Sequence, residues 1–293
     1  MLAKVLSLKL PSSPTWYIVP AAAIFLLFGL LLTNGVISIS TEEVTGFLTG
    51  EFALYVLVGL AAQLVDGALG MAYGVTSNSF LLSLGVTPAV SSASVHFAEM
   101  FTTGASAISH FRFKNINKKL FKSLLIPGVL GSITGAYLLS DVIDGNLIKP
   151  FIAFYMLVLG VIIIRKALQK TFVKNKTKRI SILAATGGFL DSIGGGGWGP
   201  IVTSTLLGQG RDPRYTIGSV NAAEFAVAFA SGITFMLFTG VDSWKVVLGL
   251  IVGGVMAAPF GAMLVGKIKR KPLMLLVGVL VIGLSIRTIL LSI

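Results

Sequence analysis

A glycine-rich stretch that follows an aspartate occurs twice in this chain, and both copies interrupt long apolar runs. The first runs from Asp66 through Gly67, Gly70 and Gly74, and the second, 125 residues later, from Asp191 through Gly194, Gly195, Gly196, Gly197 and Gly199. Each carries one aromatic residue, Tyr73 or Trp198. Glycine is poor in helix interiors, and the backbone groups it frees need other partners. Between apolar segments this pattern marks a helix broken inside a membrane, where only protein or a water-filled cavity can satisfy the freed groups. The two stretches read as two halves of one transport site.

The membrane reading rests on composition. Hydrophobic residues make up 55% of the 293 residues and charged residues 12%, with a mean hydropathy of +0.92. Such a chain is a polytopic, all-α membrane protein. The net charge of +12 does not point to nucleic acid, because the basic residues cluster in short connections between apolar runs, as the positive-inside rule requires. The absence of cysteine excludes a disulfide framework, thiolate metal ligands and a cysteine nucleophile. No metal, cofactor or catalytic residue is expected.

Taken in order, residues 1–50 form an N-terminal region with one retained spanning helix at 16–39, followed by an external connection holding Glu42, Glu43 and Glu51. Residues 51–168 form a first transmembrane repeat: a broken element over 52–85, then crossings at 88–111, 120–139 and 149–164. The basic run Arg112, Lys114, Lys118, Lys119 and Lys122 places one turn in the cytoplasm. Residues 169–179 are a basic cytoplasmic linker. A second repeat, 180–293, has its broken element at 180–210 and crossings from Pro213, Trp244 and Pro272. This puts the protein in the inner (plasma) membrane with its N-terminus cytoplasmic and its C-terminus external.

At a constant offset of 125, residues 66–108 and 191–233 share 15 identities in 43 positions. Asp66/Asp191, Pro88/Pro213, Ser94/Ser219 and Glu99/Glu224 fall in register, and Lys149-Pro150 and Arg165 recur as Lys271-Pro272 and Arg287 at a spacing of 122. The basic turns start the first repeat outside and the second inside, so the repeats are inverted. Each holds one broken hairpin and three crossings. Inverted repeats with discontinuous helices describe secondary transporters.

Four acidic residues, Asp66, Glu99, Asp191 and Glu224, fall within apolar segments, at a cost of about 2.5–3.5 kcal/mol each on insertion scales for a residue such as Asp at a helix centre. Around Glu99, Ser92, His96, Thr103, Ser106 and His110 recur at helical spacing and line one face; Asn221, Glu224 and Ser231 form the matching face of the second repeat. Asp66, His96, Glu99, Asp191, Asn221 and Glu224 are the candidates for ion coupling, with His96 as a proton partner of Glu99. Asp66 and Asp191 either cap half-helices or contact substrate. With no Lys or Arg deep in a span, an anion would be held by half-helix N-termini. The candidates there are Gly70, Tyr73, Ser77, Asn78 and Ser79 in the first repeat, and Gly195, Gly196, Trp198, Thr203 and Ser204 in the second. Tyr73 and Trp198 have packing as the competing role.

At these residues the sequence resembles the TauE/SafE sulfite exporter family. The resemblance covers nearly everything after residue 52 and is carried by the paired hairpins, the run Gly85-Val86-Thr87-Pro88-Ala89-Val90-Ser91-Ser92-Ala93-Ser94-Val95-His96, and Ser109-His110-Phe111-Arg112 followed by Lys114-Asn115-Ile116-Asn117. It implies an inner-membrane carrier linked to sulfite, thiosulfate or organosulfur compounds. A proline common in the family's hairpins is present as Pro200 but is Val75 in the first repeat. The expected function is secondary transport of a small sulfur anion, foremost sulfite, coupled to protons; thiosulfate or an organosulfonate is the alternative cargo and a passive anion channel the alternative mechanism. The protein is not expected to be an enzyme. An intramembrane aspartyl protease using Asp66 and Asp191 lacks the sequence context those enzymes show. The expected partners are the anion, the bilayer and a second copy in a homo-oligomer.

Overall fold

The computed structural model describes residues 50–169, 179–240, 243–265, 267 and 269–292. The expected N-terminal helix at 16–39 and most of the basic linker lie outside these residues. The described elements are α1 (Gly50–Leu69), α2 (Tyr73–Ser83), α3 (Pro88–Arg112), α4 (Lys118–Tyr137) continuing into a π-helical segment (Leu138–Val142), α5 (Gly145–Leu168) and α6 (Ile180–Gly194). A π-helical turn (Gly199–Thr203) then enters α7 (Ser204–Gly208), followed by α8 (Pro213–Phe238), α9 (Trp244–Leu264) and α10 (Arg270–Ser292). No strand occurs among the described residues.

Local chemistry sets several of these boundaries. Pro88 and Pro213 open α3 and α8 at positions where a missing N–H costs nothing. Asp212 caps α8 through the Arg214 and Tyr215 N–H groups, and Asn117 caps α4 through Lys119 and Leu120. The helix breaks fall at the two glycine stretches, between Leu69 and Tyr73 and between Gly194 and Gly199. The first arm is longer than a half-helix: α1 has 20 residues, about 30 Å, enough for a full crossing. The two breaks also differ. With Val75 in place of a proline the first re-forms directly as α2, whereas Pro200 lies in a π-helical turn.

Among the described residues, six stretches are long and apolar enough to cross a membrane: α1, α4 with its π segment, α5, α8, α9 and α10. This is an all-α, multi-pass membrane protein. α3 matches them in length, at 25 residues, but carries the polar stripe. It is tolerated because Ser91, Ser92, His96, Glu99, Thr103, Ser106 and His110 are all buried. Leu130, Phe151, Leu237, Leu276 and Leu290 face outward, as a lipid-contacting surface requires.

The helices pack in pairs: α1 on α9, α4 on α6, α3 on α8, and α5 on α10. Small residues set the distances. A Cβ on Gly67 would lie 2.9 Å from the Gly261 Cα, and one on Gly261 would lie 2.8 Å from the Gly67 Cα. These backbones touch where a side chain would hold them apart. Glu51 and Lys245 pair at 2.5 Å, joining the starts of α1 and α9, which therefore run parallel. Gly67→Leu should lower the thermal midpoint in detergent by the equivalent of about 1–3 kcal/mol of overpacking. Gly283→Leu, with nothing within 4 Å of its Cβ, should leave the midpoint in place. Equal losses in a thermal-shift assay would contradict a tight α1–α9 contact.

Candidate functional site

The two helix breaks meet. A Cβ on Gly74 would come within 3.1 Å of the Gly196 Cα, and one on Gly199 within 2.9 Å of the Gly70 carbonyl oxygen. Gly70, Gly195 and Gly196 thus sit at a crossing of two backbones. Gly195 ends α6 in the left-handed conformation, φ 68, which glycine adopts without penalty. On the other strand Ala72, φ 120, holds a backbone region that a Cβ disfavours. Asn78 locks the crossing: its Nδ2 donates to the Gly194 carbonyl at 2.9 Å, and its Oδ1 accepts from Ser91 Oγ.

Asp191 holds the second break together. Its Oδ1 accepts from the backbone N–H groups of Gly197 at 2.8 Å and Trp198 at 2.9 Å. These are donors that a helix start leaves unpaired. The second N-terminus is therefore filled by a carboxylate of the chain itself. The first differs: α2 has no side-chain cap. The Tyr73 N–H lies near Asp66, yet neither Asp66 carboxylate oxygen completes a hydrogen bond. Of the two aspartates with one sequence context, one caps and the other does not.

The other oxygen of Asp191 contacts His96 Nε2 at 3.2 Å. His96 was expected to partner Glu99, three residues along its own helix; its partner instead comes from α6. The His96 Nδ1 lies 2.9 Å from the Ser92 carbonyl oxygen. A carbonyl only accepts, so Nδ1 carries the hydrogen. Nε2 of a neutral ring would then turn a lone pair toward a carboxylate oxygen. Two acceptors in contact need a proton or a cation between them.

Glu99 completes this group, since ligand atoms of His96, Glu99 and Asp191 all lie within 4.8 Å of one another. One nitrogen and two carboxylates can surround a proton or a small cation. Asp66 and Glu224 act electrostatically on the same group, so all four intramembrane carboxylates converge. Glu99 Oε2 and Glu224 Oε2 have no protein hydrogen-bond partner, nor do the hydroxyls of Ser77, Ser79, Ser192, Thr203 and Tyr155. Buried polar atoms without protein partners belong to water or ligand. Tyr155 comes from α5, and no polar pattern in that helix signals it.

A second polar arm leads away from the crossing. Arg214 Nε donates to Asn115 Oδ1 at 2.7 Å, which turns Asn115 Nδ2 toward His110 Nδ1 at 3.2 Å. Nδ1 is then the acceptor, and Nε2 carries the hydrogen. The Asn221 carboxamide lies 3.2 Å from Nε2 and from Ser106 Oγ. Turning its oxygen to the ring gives Nε2 an acceptor and satisfies Oδ1, otherwise unpartnered. Asn221 is thus part of a hydrogen-bonded chain that runs from the Arg214 guanidinium through Asn115 and His110.

Tyr73 and Trp198 point away from the crossing. The Tyr73 hydroxyl donates to the Leu250 carbonyl at 3.2 Å. Trp198 Nε1 donates to the Val220 carbonyl at 3.3 Å, and its ring packs among Leu120, Leu124, Val202 and Val227. Both anchor their half-helices against neighbouring helices. Ser204 donates to the Pro200 carbonyl and accepts from Lys166 Nζ at 2.6 Å. That ammonium, from the last turn of α5, reaches the second broken helix.

The sequence model for the sulfite exporter TauE/SafE family matches residues 55–288, a span that contains both breaks and every residue of this site. The chain belongs to the TauE/SafE family. It is similar to the probable membrane transporter protein YtnM of Bacillus subtilis, 42% identical over 249 residues, covering 82% of this chain and 83% of that one. A probable membrane transporter protein, YunE, of the same organism is 21% identical over 261 residues, covering 79% and 95%. The sulfite exporter TauE/SafE family protein 3 of Arabidopsis thaliana is 34% identical over 70 residues, covering 24% and 15%. No solved structure matches significantly. Membership in a membrane transporter family is consistent with a role in transport rather than catalysis.

Two stability measurements test this geometry in the TauE/SafE fold. Asp191→Ala removes both N–H acceptors and should cost about 1–3 kcal/mol, whereas Asp191→Asn keeps an acceptor for Gly197 and Trp198 and should cost less. Ala72→Gly should raise the melting temperature by relieving on the order of 1 kcal/mol of backbone strain. An unchanged or lower melting temperature for Ala72→Gly would contradict the strained turn.

Proposed function

We propose that the protein carries sulfite, or a closely similar sulfur oxyanion such as thiosulfate, across the membrane in company with a proton. The contact of His96 with Asp191 carries this reading. It lies at the crossing of two broken helices and holds a proton between two acceptors. The uncapped N-terminus of α2, with the Ser77 and Thr203 hydroxyls, is the anion's seat: free N–H groups and the helix dipole favour negative charge there. An anion beside Asp66, Glu99 and Glu224 is repelled unless compensating protons arrive with it. Anion and proton therefore enter and leave together.

Alternating access follows from the two inverted repeats, one pivoting against the other around the crossing. The pairing of α3 with α8 supports this, since these helices, which match at the offset of 125, face each other antiparallel: Ser106 meets Asn221, and His96 meets Phe235 with ring centroids 5.7 Å apart. The positive-inside distribution supports an inner-membrane location with the basic turns in the cytoplasm.

The test is sulfite accumulation in proteoliposomes driven by a pH gradient. Wild type should concentrate sulfite against its own gradient. His96→Gln and Glu99→Gln should abolish that accumulation while the protein remains folded. Accumulation undiminished in His96→Gln would sink the proton assignment. Wild-type flux that only dissipates a sulfite gradient would show a passive channel, and thiosulfate outcompeting sulfite would reassign the cargo.

A further inference from the structure

The carboxylate-rich centre of this protein is a poor attractor for an anion, yet an anion is the proposed cargo. Among the described residues two cations reach the broken helices: Arg287 donates to the Ser83 carbonyl at the end of α2, and Lys166 reaches the second break beside a cavity. It lies in the last turn of α5 and lines a cavity of about 520 Å³ with Ile162, Arg165, Leu168 and Gln169. Two of these five residues are cationic and none is acidic. The Lys166 ammonium is half-buried, and its hydrogen bond goes to a neutral group, Ser204 Oγ at 2.6 Å. A partly buried cation without a carboxylate partner favours an anion beside it.

The position leads inward. Ser204 is buried, and its hydroxyl donates to the Pro200 carbonyl in the π-helical turn. Its neighbour Thr203 is buried with an unpartnered hydroxyl, and the Thr203 methyl lies 3.1 Å from where a Cβ on Gly70 would stand. Lys166 thus links the cavity to Ser204, and the next residue, Thr203, borders the crossing.

The matching position in the other repeat carries no ammonium. At the spacing of 122 that relates Arg165 to Arg287, Lys166 corresponds to Thr288. Thr288 is buried and donates to its own helix at the Leu284 carbonyl, 3.0 Å away. At the offset of 125, Ser204 corresponds to Ser79, whose hydroxyl has no partner. One half of the molecule therefore places a cation on this serine and the other half leaves it bare.

We infer that Lys166, with Arg165, forms an oxyanion-binding site at the mouth of the second broken helix, which collects the anion before it passes along Ser204 and Thr203 to the crossing. This rests on the transport reading above for the identity of the anion, not for the existence of the site. A charged cavity mouth raises the local concentration of the opposite charge and its rate of entry. The same chemistry would take a lipid phosphate, and the test separates the two sources.

The full chain is purified in a zwitterionic detergent, and calorimetry measures binding of sulfite, sulfate and inorganic phosphate to wild type, Lys166→Gln and Lys166→Arg. The expected result is oxyanion binding weakened roughly tenfold in Lys166→Gln, the loss of one charge-assisted hydrogen bond, and largely restored in Lys166→Arg. In proteoliposomes Lys166→Gln should raise KM for sulfite more than it lowers the maximal rate, equally with and without phosphatidylglycerol. Unchanged oxyanion binding in a folded Lys166→Gln overturns the site. Phosphatidylglycerol abolishing the difference between wild type and Lys166→Gln overturns it in favour of a lipid headgroup. Wild type that moves no sulfite refutes the transport reading alone, since Lys166-dependent binding of sulfate and phosphate still upholds the site and its absence still removes it.

Discussion

A helix broken inside a membrane exposes N–H groups that lipid cannot satisfy, and at the second break Asp191 meets that demand. Its carboxylate accepts from Gly197 and Trp198 on one oxygen and contacts His96 on the other. One side chain therefore closes a backbone defect, joins α6 to α3 and fixes the place where a proton must sit. The glycines around it are small because the first break passes through the same space, so that Gly74 and Gly196 approach within Cβ distance. The site exists because two backbone defects were brought together and only one was filled.

That asymmetry gives the centre its chemistry. Asp66 stands in the same local sequence as Asp191 but completes no hydrogen bond, and α2 begins uncapped. Glu99 and Glu224 add two further carboxylates with unpartnered oxygens. In a region with little water, negative charges so placed need positive charge to accompany them. In the proposed reading, proton coupling is the electrostatic consequence of seating an anion among these carboxylates.

Much of this was legible in the sequence, and what was not has a physical reason. The breaks at Asp66 and Asp191 announced themselves because glycine runs cannot hide in apolar segments. The buried face of α3 showed through its helical period, from Ser92 to His110. The partner of His96 did not: helical spacing offers Glu99, whereas Asp191 arrives from a helix 95 residues away. Nor could two aspartates placed alike before glycine stretches reveal that Asp191 caps and Asp66 does not, because capping depends on how each backbone turns after the aspartate. Tyr155 and Lys166 lie on an otherwise apolar helix, and only the packing of α5 beside the second break gives them meaning.

The chain has no cysteine, so a single introduced thiol reports on one place. The central claim is that the crossing is an anion site open in turn to each side of the membrane, and Thr203, buried with an unpartnered hydroxyl, lies at its heart. Rates of Thr203→Cys modification by a membrane-impermeant thiol reagent, applied to either face of sealed vesicles, measure this directly. Modification from both faces, slowed by sulfite and not by chloride, is the predicted result. A thiol that no reagent reaches from either face, or one whose modification is indifferent to sulfite, would contradict the account.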